Sequence, residues 1–187
     1  MKMKIKWIAI ALLTVLLTGC VAAMVASASL MVYDRRSVRM IEKDARIFHV
    51  VHTAIVTDPN FHGSRVKVSV YQQVVLLLGQ VKMASLKSLA EEIAQTTPNV
   101  RRVYNKLTIA NPIDLEQQST DIWITSQVRS KMLAKKDLES GSIQVNTENS
   151  IVYLTGVVTP EQANLAVSAA RTVNGVRQVV KMFQYIR

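Results

Sequence analysis

Residues 143–162 read IQVNTENSIVYLTGVVTPEQ, and residues 66–85 read VKVSVYQQVVLLLGQVKMAS. In the first stretch Ile143 and Val145 alternate with polar residues, the turn-prone pair Glu148-Asn149 follows, and Ile151 opens an apolar run that closes on Gly156. Alternation, turn and apolar run together predict a β-hairpin whose second strand lies deeper than its first. The second stretch repeats the pattern with Val66, Val68 and Val70, then residues 74–78, then Gly79. Thr159-Pro160-Glu161-Gln162 adds a helix start: a capping hydroxyl, proline at the first helical position and glutamine three residues beyond the cap.

Working outward, the two stretches are parts of one motif written twice. A shift of 77 superposes Asp44 on Asp121, Ile47 on Ile124, Val51 on Val128, Val68 on Val145, Leu77 on Leu154 and Gly79 on Gly156. After a one-residue deletion, a shift of 76 superposes Ala90 on Ala166, Ala94 on Ala170, Val100 on Val176, Arg101 on Arg177 and Val103 on Val179. Before each hairpin an apolar stripe at i, i+4, i+8 (Ile124, Val128, Met132 in the second copy) predicts an amphipathic helix, with Ser119 or Thr120 available as its cap. After it comes an Ala-rich helix, ended in the second copy by Asn174-Gly175, and a closing strand over 100–109 or 176–186. The expected class is α+β: two tandem αββαβ domains, each a three-stranded mixed sheet covered on one face by two helices. The expected organisation is a leader over 1–19, a tether over 20–40, a first domain over 41–110, a linker over 111–118 and a second domain over 119–187. The linker is short enough that the domains should lie against each other. Gly79 and Gly156, at matching points of the central strands, read as structural positions required by a bulge, a positive φ or the close approach of a helix.

The first residues form a secretion leader. Lys2, Lys4 and Lys6 precede an apolar stretch over 7–17, and Leu17-Thr18-Gly19-Cys20 follows. That tetrapeptide resembles the lipobox of bacterial lipoproteins, in which the thiol of the residue at Cys20 is diacylated and becomes the mature N-terminus. The alternative is an uncleaved anchor, because apolar character continues to Val32. Cys20 is the only cysteine, so no disulfide within the chain is possible. By the sorting pattern of the lipoprotein class, Val21 in place of aspartate implies the inner leaflet of the outer membrane. The 23 basic and 13 acidic residues give +10, and losing the three leader lysines leaves +7. A cationic body tethered beside a bilayer is drawn to anionic headgroups, and export argues against nucleic acid as the partner.

The order αββαβ, the strands ending Leu-Leu-Gly or Leu-Thr-Gly, and the closing Asn99-Val100-Arg101-Arg102-Val103 and Gly175-Val176-Arg177-Gln178-Val179 resemble the BON domain. Two such domains behind a lipobox resemble the dual-BON-domain lipoproteins of the Gram-negative outer membrane. The resemblance implies a non-enzymatic outer-membrane lipoprotein, lipid-anchored, facing the periplasm and enriched at the division site. It further implies binding of anionic phospholipid through the first helix of the second domain, in support of membrane integrity. A protein adaptor that recruits or regulates an envelope assembly factor or protease is the alternative. No cofactor, no metal and no small-molecule substrate is expected.

The residues themselves carry little sign of catalysis: there is no nucleotide loop and no nucleophile elbow. His49 and His52 could share a helix face, with His62 nearby, but fall away from the Ile47, Val51, Ile55 stripe and read as surface histidines. Arg101, Arg102 and Arg177 read as charged edge-strand protection, with a headgroup contact as the alternative. The second copy's first helix stands apart. Trp123 projects about 140° from the core arc, among Gln127, Ser130 and Lys131, where the first copy has Arg46. Arg129, Lys131, Lys135 and Lys136 give residues 121–136 four positive charges against one negative. Indole among cations is the composition of a membrane-interface anchor. Trp123, Gln127, Arg129, Ser130, Lys131, Lys135 and Lys136 are therefore the expected phospholipid contacts, with packing of Trp123 into the seam between domains as the alternative.

Overall fold

The structure, a computed structural model, describes residues 36–186. The leader, Cys20 and most of the tether lie outside the described residues. The first αββαβ unit runs α1 (Val38–Thr57), β1 (Arg65–Tyr71), β2 (Val74–Val81), α2 (Ala84–Thr96), β3 (Arg102–Asn105) and β4 (Thr108–Ile109). The second runs α3 (Leu115–Ala134), β5 (Ile143–Glu148), β6 (Ile151–Val158), α4 (Pro160–Arg171) and β7 (Gln178–Tyr185). In each, the hairpin is antiparallel and the closing strand returns parallel to the central one, as the apolar character of the central strand leads one to expect.

Both helices of a unit cover one sheet face. In the first, Ile47, Val51 and Ile55 of α1 and Leu86, Ala90 and Ala94 of α2 pack on Val68, Val75, Leu77 and Val81. In the second, Ile124, Val128 and Met132 of α3 and Ala163, Ala166 and Ala170 of α4 pack on Val145, Val152 and Leu154. The alanines let the second helix of each unit approach the sheet closely.

A buried aspartate ties each first helix to its hairpin. Gln72 and Gln73, both at positive φ (51° and 63°), donate their backbone N–H groups to Asp44 at 2.8 and 2.7 Å. Asn149 and Ser150, at φ 50° and 63°, donate to Asp121 at 2.6 and 2.8 Å. The turn is therefore Asn149-Ser150, one residue beyond the expected Glu148-Asn149. Two successive positive-φ residues are the type I′ geometry that suits a two-residue hairpin. Glutamine is an unusual occupant of it, and the carboxylate offsets the strain by binding both N–H groups at once.

Several boundaries differ from the sequence expectation. The helix α3 starts at Leu115, inside the expected linker, because Asp114 caps it by accepting from Gln117 N at 2.8 Å. Ser119, expected as a cap, instead donates to the Leu115 carbonyl within the helix. The helix α1 starts at Val38, inside the expected tether; Ser37 caps it and Arg36 reaches Asp44 at 2.6 Å. The closing strand of the first copy is split, since Lys106 N bonds to Leu77 O and buried Leu107 turns into the core. Asn105 holds that break, donating to Lys87 O and accepting from Leu107 N. The first sheet accordingly counts four strands and the second three.

The sheet faces not covered by helices meet each other. Leu76 and Leu78 of β2 pack with Tyr153 of β6 and Met182 of β7, flanked by Tyr104, Ile151 and Val180. The rest of this seam is polar: Arg65 pairs with Glu148 at 2.5 Å, Gln80 donates to Glu148 at 3.0 Å, and Asn146 donates to Ser69 at 3.1 Å. Burial lowers the Lys67 pKa below its usual value, with Glu148 opposing the shift, and Lys67 donates to Thr147 O at 3.3 Å. Burial raises the Tyr153 pKa, reinforced by Glu148. The two αββαβ units thus form four layers, helices outside and sheets within.

Candidate functional site

The face of α3 turned away from the core is the most distinctive surface among the described residues. Core contacts occupy the arc of Asp121, Ile124, Val128 and Met132. On the opposite side Trp123 is 49% exposed, and with it Leu115 at 78%, Ile122 at 72% and Leu133 at 56%. At about 100° per residue, Leu115, Ile122 and Leu133 fall within about 20° of one another, so they form one line along the helix. Trp123 stands beside that line, and Ser119, Ser126 and Ser130 fill the space between. Small hydroxyls leave the indole and the aliphatic side chains standing proud of the surface.

The expected cations divide into two groups. Arg129 donates to Val145 O at 3.2 Å, and Lys131 donates to Thr172 O at 2.8 Å and Thr172 Oγ1 at 3.1 Å. These two charges are oriented by the fold, and Lys131 also satisfies the carbonyl at the end of α4. Lys135 and Lys136 lie past the last turn of α3, exposed and without a side-chain hydrogen bond or ion pair among the described residues. Ser130 is exposed and Gln127 half-buried on the same outward arc. All seven residues picked from the sequence thus belong to α3 or its C-terminal end. Trp123 is not in the seam between the units, which is filled by the sheet faces. Leu115, Ile122 and Leu133 were missed by the sequence reading. Their signal is a second apolar line off the core stripe, whose first member, Leu115, lies five or six residues ahead of the start that a Ser119 or Thr120 cap implies.

The first copy shows what this position looks like without the tryptophan. Arg46 is exposed and pairs with Glu42 one turn earlier, and Phe48 stacks on His52 with ring centres 5.1 Å apart. His49 and His62 are exposed, and no cluster of three or more potential metal ligands occurs among the described residues. Gly79 and Gly156 lie against the neighbouring strand rather than a helix. A Cβ on Gly79, whose φ is +116°, would sit 2.0 Å from Arg65 O, and one on Gly156 would sit 2.4 Å from Ser142 O. No helix among the described residues is long and apolar enough to cross a membrane.

Comparison with known proteins agrees with this architecture. The family model described as BON domain matches residues 43–111 and again 120–187. The chain is 36% identical over 177 residues to "Outer membrane lipoprotein DolP" of Haemophilus influenzae, covering 92% of each chain. It is 36% identical to "21 kDa hemolysin" of Actinobacillus pleuropneumoniae over 66% of this chain and 64% of that one. It is 30% identical to "Osmotically-inducible protein Y" of Escherichia coli over 73% of this chain and 69% of that one. With two family matches that between them take in most of its length, each falling on one αββαβ unit, this chain belongs to the BON domain family.

Proposed function

We propose that this protein is a non-enzymatic envelope lipoprotein, held by an acylated Cys20 at the inner face of the outer membrane, that lays α3 on anionic phospholipid. The observation that carries the reading is the outward face of α3, with Leu115, Ile122, Trp123 and Leu133 exposed beside Lys135 and Lys136. Moving these partly exposed apolar side chains out of water contributes on the order of 1 kcal/mol each. Each nearby cation adds about 1 kcal/mol at an anionic surface. Such a sum suits weak, reversible contact, and the acyl anchor makes weak contact sufficient by holding the module at high local concentration. The name borne by the Haemophilus relative supports the envelope location.

The test uses residues 36–187, one compact unit that lacks the acyl anchor. Co-sedimentation with protein-free phosphatidylglycerol vesicles is expected, with little binding to phosphatidylcholine and loss of binding as salt screens the cations over about 8 Å. Failure to bind anionic vesicles at low salt would overturn the lipid reading in favour of a protein adaptor. Intact-mass analysis of the full chain is expected to show acyl groups on Cys20.

A further inference from the structure

At one edge of the seam the start of β3 meets the end of β7, and Arg101, Arg102, Phe183, Gln184 and Tyr185 line a cleft of about 310 Å³. No acid lines it. Arg101 and Arg102 are exposed, and neither guanidinium has a carboxylate partner among the described residues. Arg102 is held in place without being neutralised: it donates to Tyr104 Oη at 3.1 Å and lies 5.9 Å from the centre of that ring.

The internal repeat supplies a control for what the fold itself needs. Arg101 and Arg177 occupy matching positions, and the backbone N–H of each donates to the hairpin turn, at Gln73 O and Ser150 O respectively, both at 2.9 Å. Their side chains then part. Arg177 bonds to Asn149 O at 2.6 Å, whereas Arg101 makes no corresponding bond to the first turn and lines the cleft instead. The next residue is Gln178 in the second copy and Arg102 in the first. The frame therefore closes without a second guanidinium. Two adjacent like charges that nothing inside the fold offsets are favourable once an anion sits between them.

We propose that this cleft is an anion site for a phosphate ester. The guanidinium fork matches two oxygens of one phosphate, and two forks match a tetrahedral group better than a flat carboxylate. The Tyr185 hydroxyl and the Gln184 amide are further donors at the rim. The volume exceeds what a bare phosphate fills, leaving room for an ester substituent against the exposed ring of Tyr185, which is braced edge to face at 6.4 Å by the buried Phe183. A lipid headgroup and a soluble phosphate ester offer the same chemistry. The site uses no residue of α3, so it stands or falls separately from the proposed function.

The experiment titrates the full-length protein in non-ionic micelles with glycerol 3-phosphate, and separately with phosphatidylglycerol doped into the micelles. The readout is the NMR shifts of the Arg101 and Arg102 Nε–H groups and the Tyr185 amide. Saturable shifts at these three groups are expected in at least one arm, weakened about tenfold or more in Arg101→Gln and in Arg102→Gln. Arg171→Gln, a charge-matched change at the end of α4, is expected to bind as the parent does. Both cleft arginines are exposed, so their variants keep the fold, which unchanged melting verifies. Shifts with glycerol 3-phosphate identify a soluble ligand, and shifts only with phosphatidylglycerol identify a headgroup. Absence of shifts at the cleft in both arms, or glutamine variants that bind as tightly as the parent, overturns the proposal.

Discussion

In each copy of the repeat a buried aspartate on the first helix grips the hairpin turn, yet the helices that deliver Asp44 and Asp121 present different outer faces. The α1 face carries Arg46, paired with Glu42, exposed Val38 and Val56 at the places of Leu115 and Leu133, and Ala45 at the place of Ile122. The α3 face carries an exposed tryptophan, three exposed aliphatic side chains and two unpaired lysines at its end. Positions that the fold needs are kept in both copies, and among the outward positions those of Ile122, Trp123, Lys135 and Lys136 have diverged. The repeat is thus an internal control that separates structural from functional residues without any second protein.

The largest expected effect breaks the frame itself. Gly79→Val brings a branched side chain to a residue at φ +116° whose Cβ position lies 2.0 Å from a carbonyl oxygen; Gly156→Val meets only the contact, at 2.4 Å. Backbone strain of about 1–3 kcal/mol adds to the clash in the first case alone. Both variants are expected to lose about 3 kcal/mol or more, Gly79→Val the more severely. Hydrogen exchange resolved by domain checks this. Equal losses in the two copies would show that positive φ at Gly79 carries no weight.

Next come the turn clamps. Asp44→Asn and Asp121→Asn each exchange one charge-assisted acceptor for an amide N–H that faces a backbone donor, a loss of about 1.5–3 kcal/mol. Asp44→Asn also removes the ion pair with Arg36, whereas Asp121 accepts from the neutral Gln117 at 2.9 Å. The first-copy variant is therefore expected to lose about 1 kcal/mol more in denaturant unfolding. If Asp121→Asn proves the costlier, the ion pair contributes nothing net.

The clamp also shows what was legible in the sequence. Apolar periodicity, the repeat shift and the Thr159-Pro160 cap gave the order of elements and the sides on which the helices pack, because those follow from local pattern. The superposition of Asp44 on Asp121 was visible as well, but its role was not. A side chain that bonds N–H groups 28 residues away leaves no local signal, and the Gln72-Gln73 turn lacks the usual Asn-Gly marker. The split of the first closing strand was hidden for the same reason, since Asn105 forces it through contacts with α2. Trp123 was found because the first copy has arginine there. Leu115 required the true start of α3, whereas Ile122 and Leu133 lie within the expected helix but off its core stripe.

A smaller effect concerns the seam. Lys67 has a folded pKa below its unfolded value because desolvation outweighs the attraction of Glu148. The unfolded chain then binds more protons between the two values, so this group lowers stability at neutral pH and the deficit fades as pH rises towards 10.5. Lys67→Met is expected to be neutral or stabilising by up to about 1 kcal/mol at pH 7, since Glu148 keeps Arg65. Its advantage should shrink in alkaline solution. The opposite trend of Tyr153, whose raised pKa favours unfolding above pH 10, is common to both proteins and cancels in the difference. Paired melts at pH 7 and pH 10 test the sign.

The smallest effect on stability is expected where the effect on binding is largest. Trp123 lies off the core arc and is half exposed, and the first copy folds with arginine in its place, so Trp123→Ala should change unfolding free energy by no more than about 0.5 kcal/mol. Binding of residues 36–187 to phosphatidylglycerol vesicles should nonetheless weaken about tenfold, because an interfacial indole contributes both apolar area and a headgroup-level dipole. Trp123 is the only tryptophan in that fragment, so its emission reports its own surroundings: a blue shift with anionic vesicles and none with zwitterionic ones is expected. The comparison sharpens with Arg46→Trp placed in the Trp123→Ala background. If an exposed indole on a first helix were sufficient, that double variant would regain binding. The α1 face has exposed Val38 and Val56 where α3 has Leu115 and Leu133, but Ala45 in place of Ile122 and Asp58-Pro59 in place of Lys135 and Lys136, so binding should stay low. Recovery would show that the indole alone makes the contact, and that the aliphatic line beside it is surface without function.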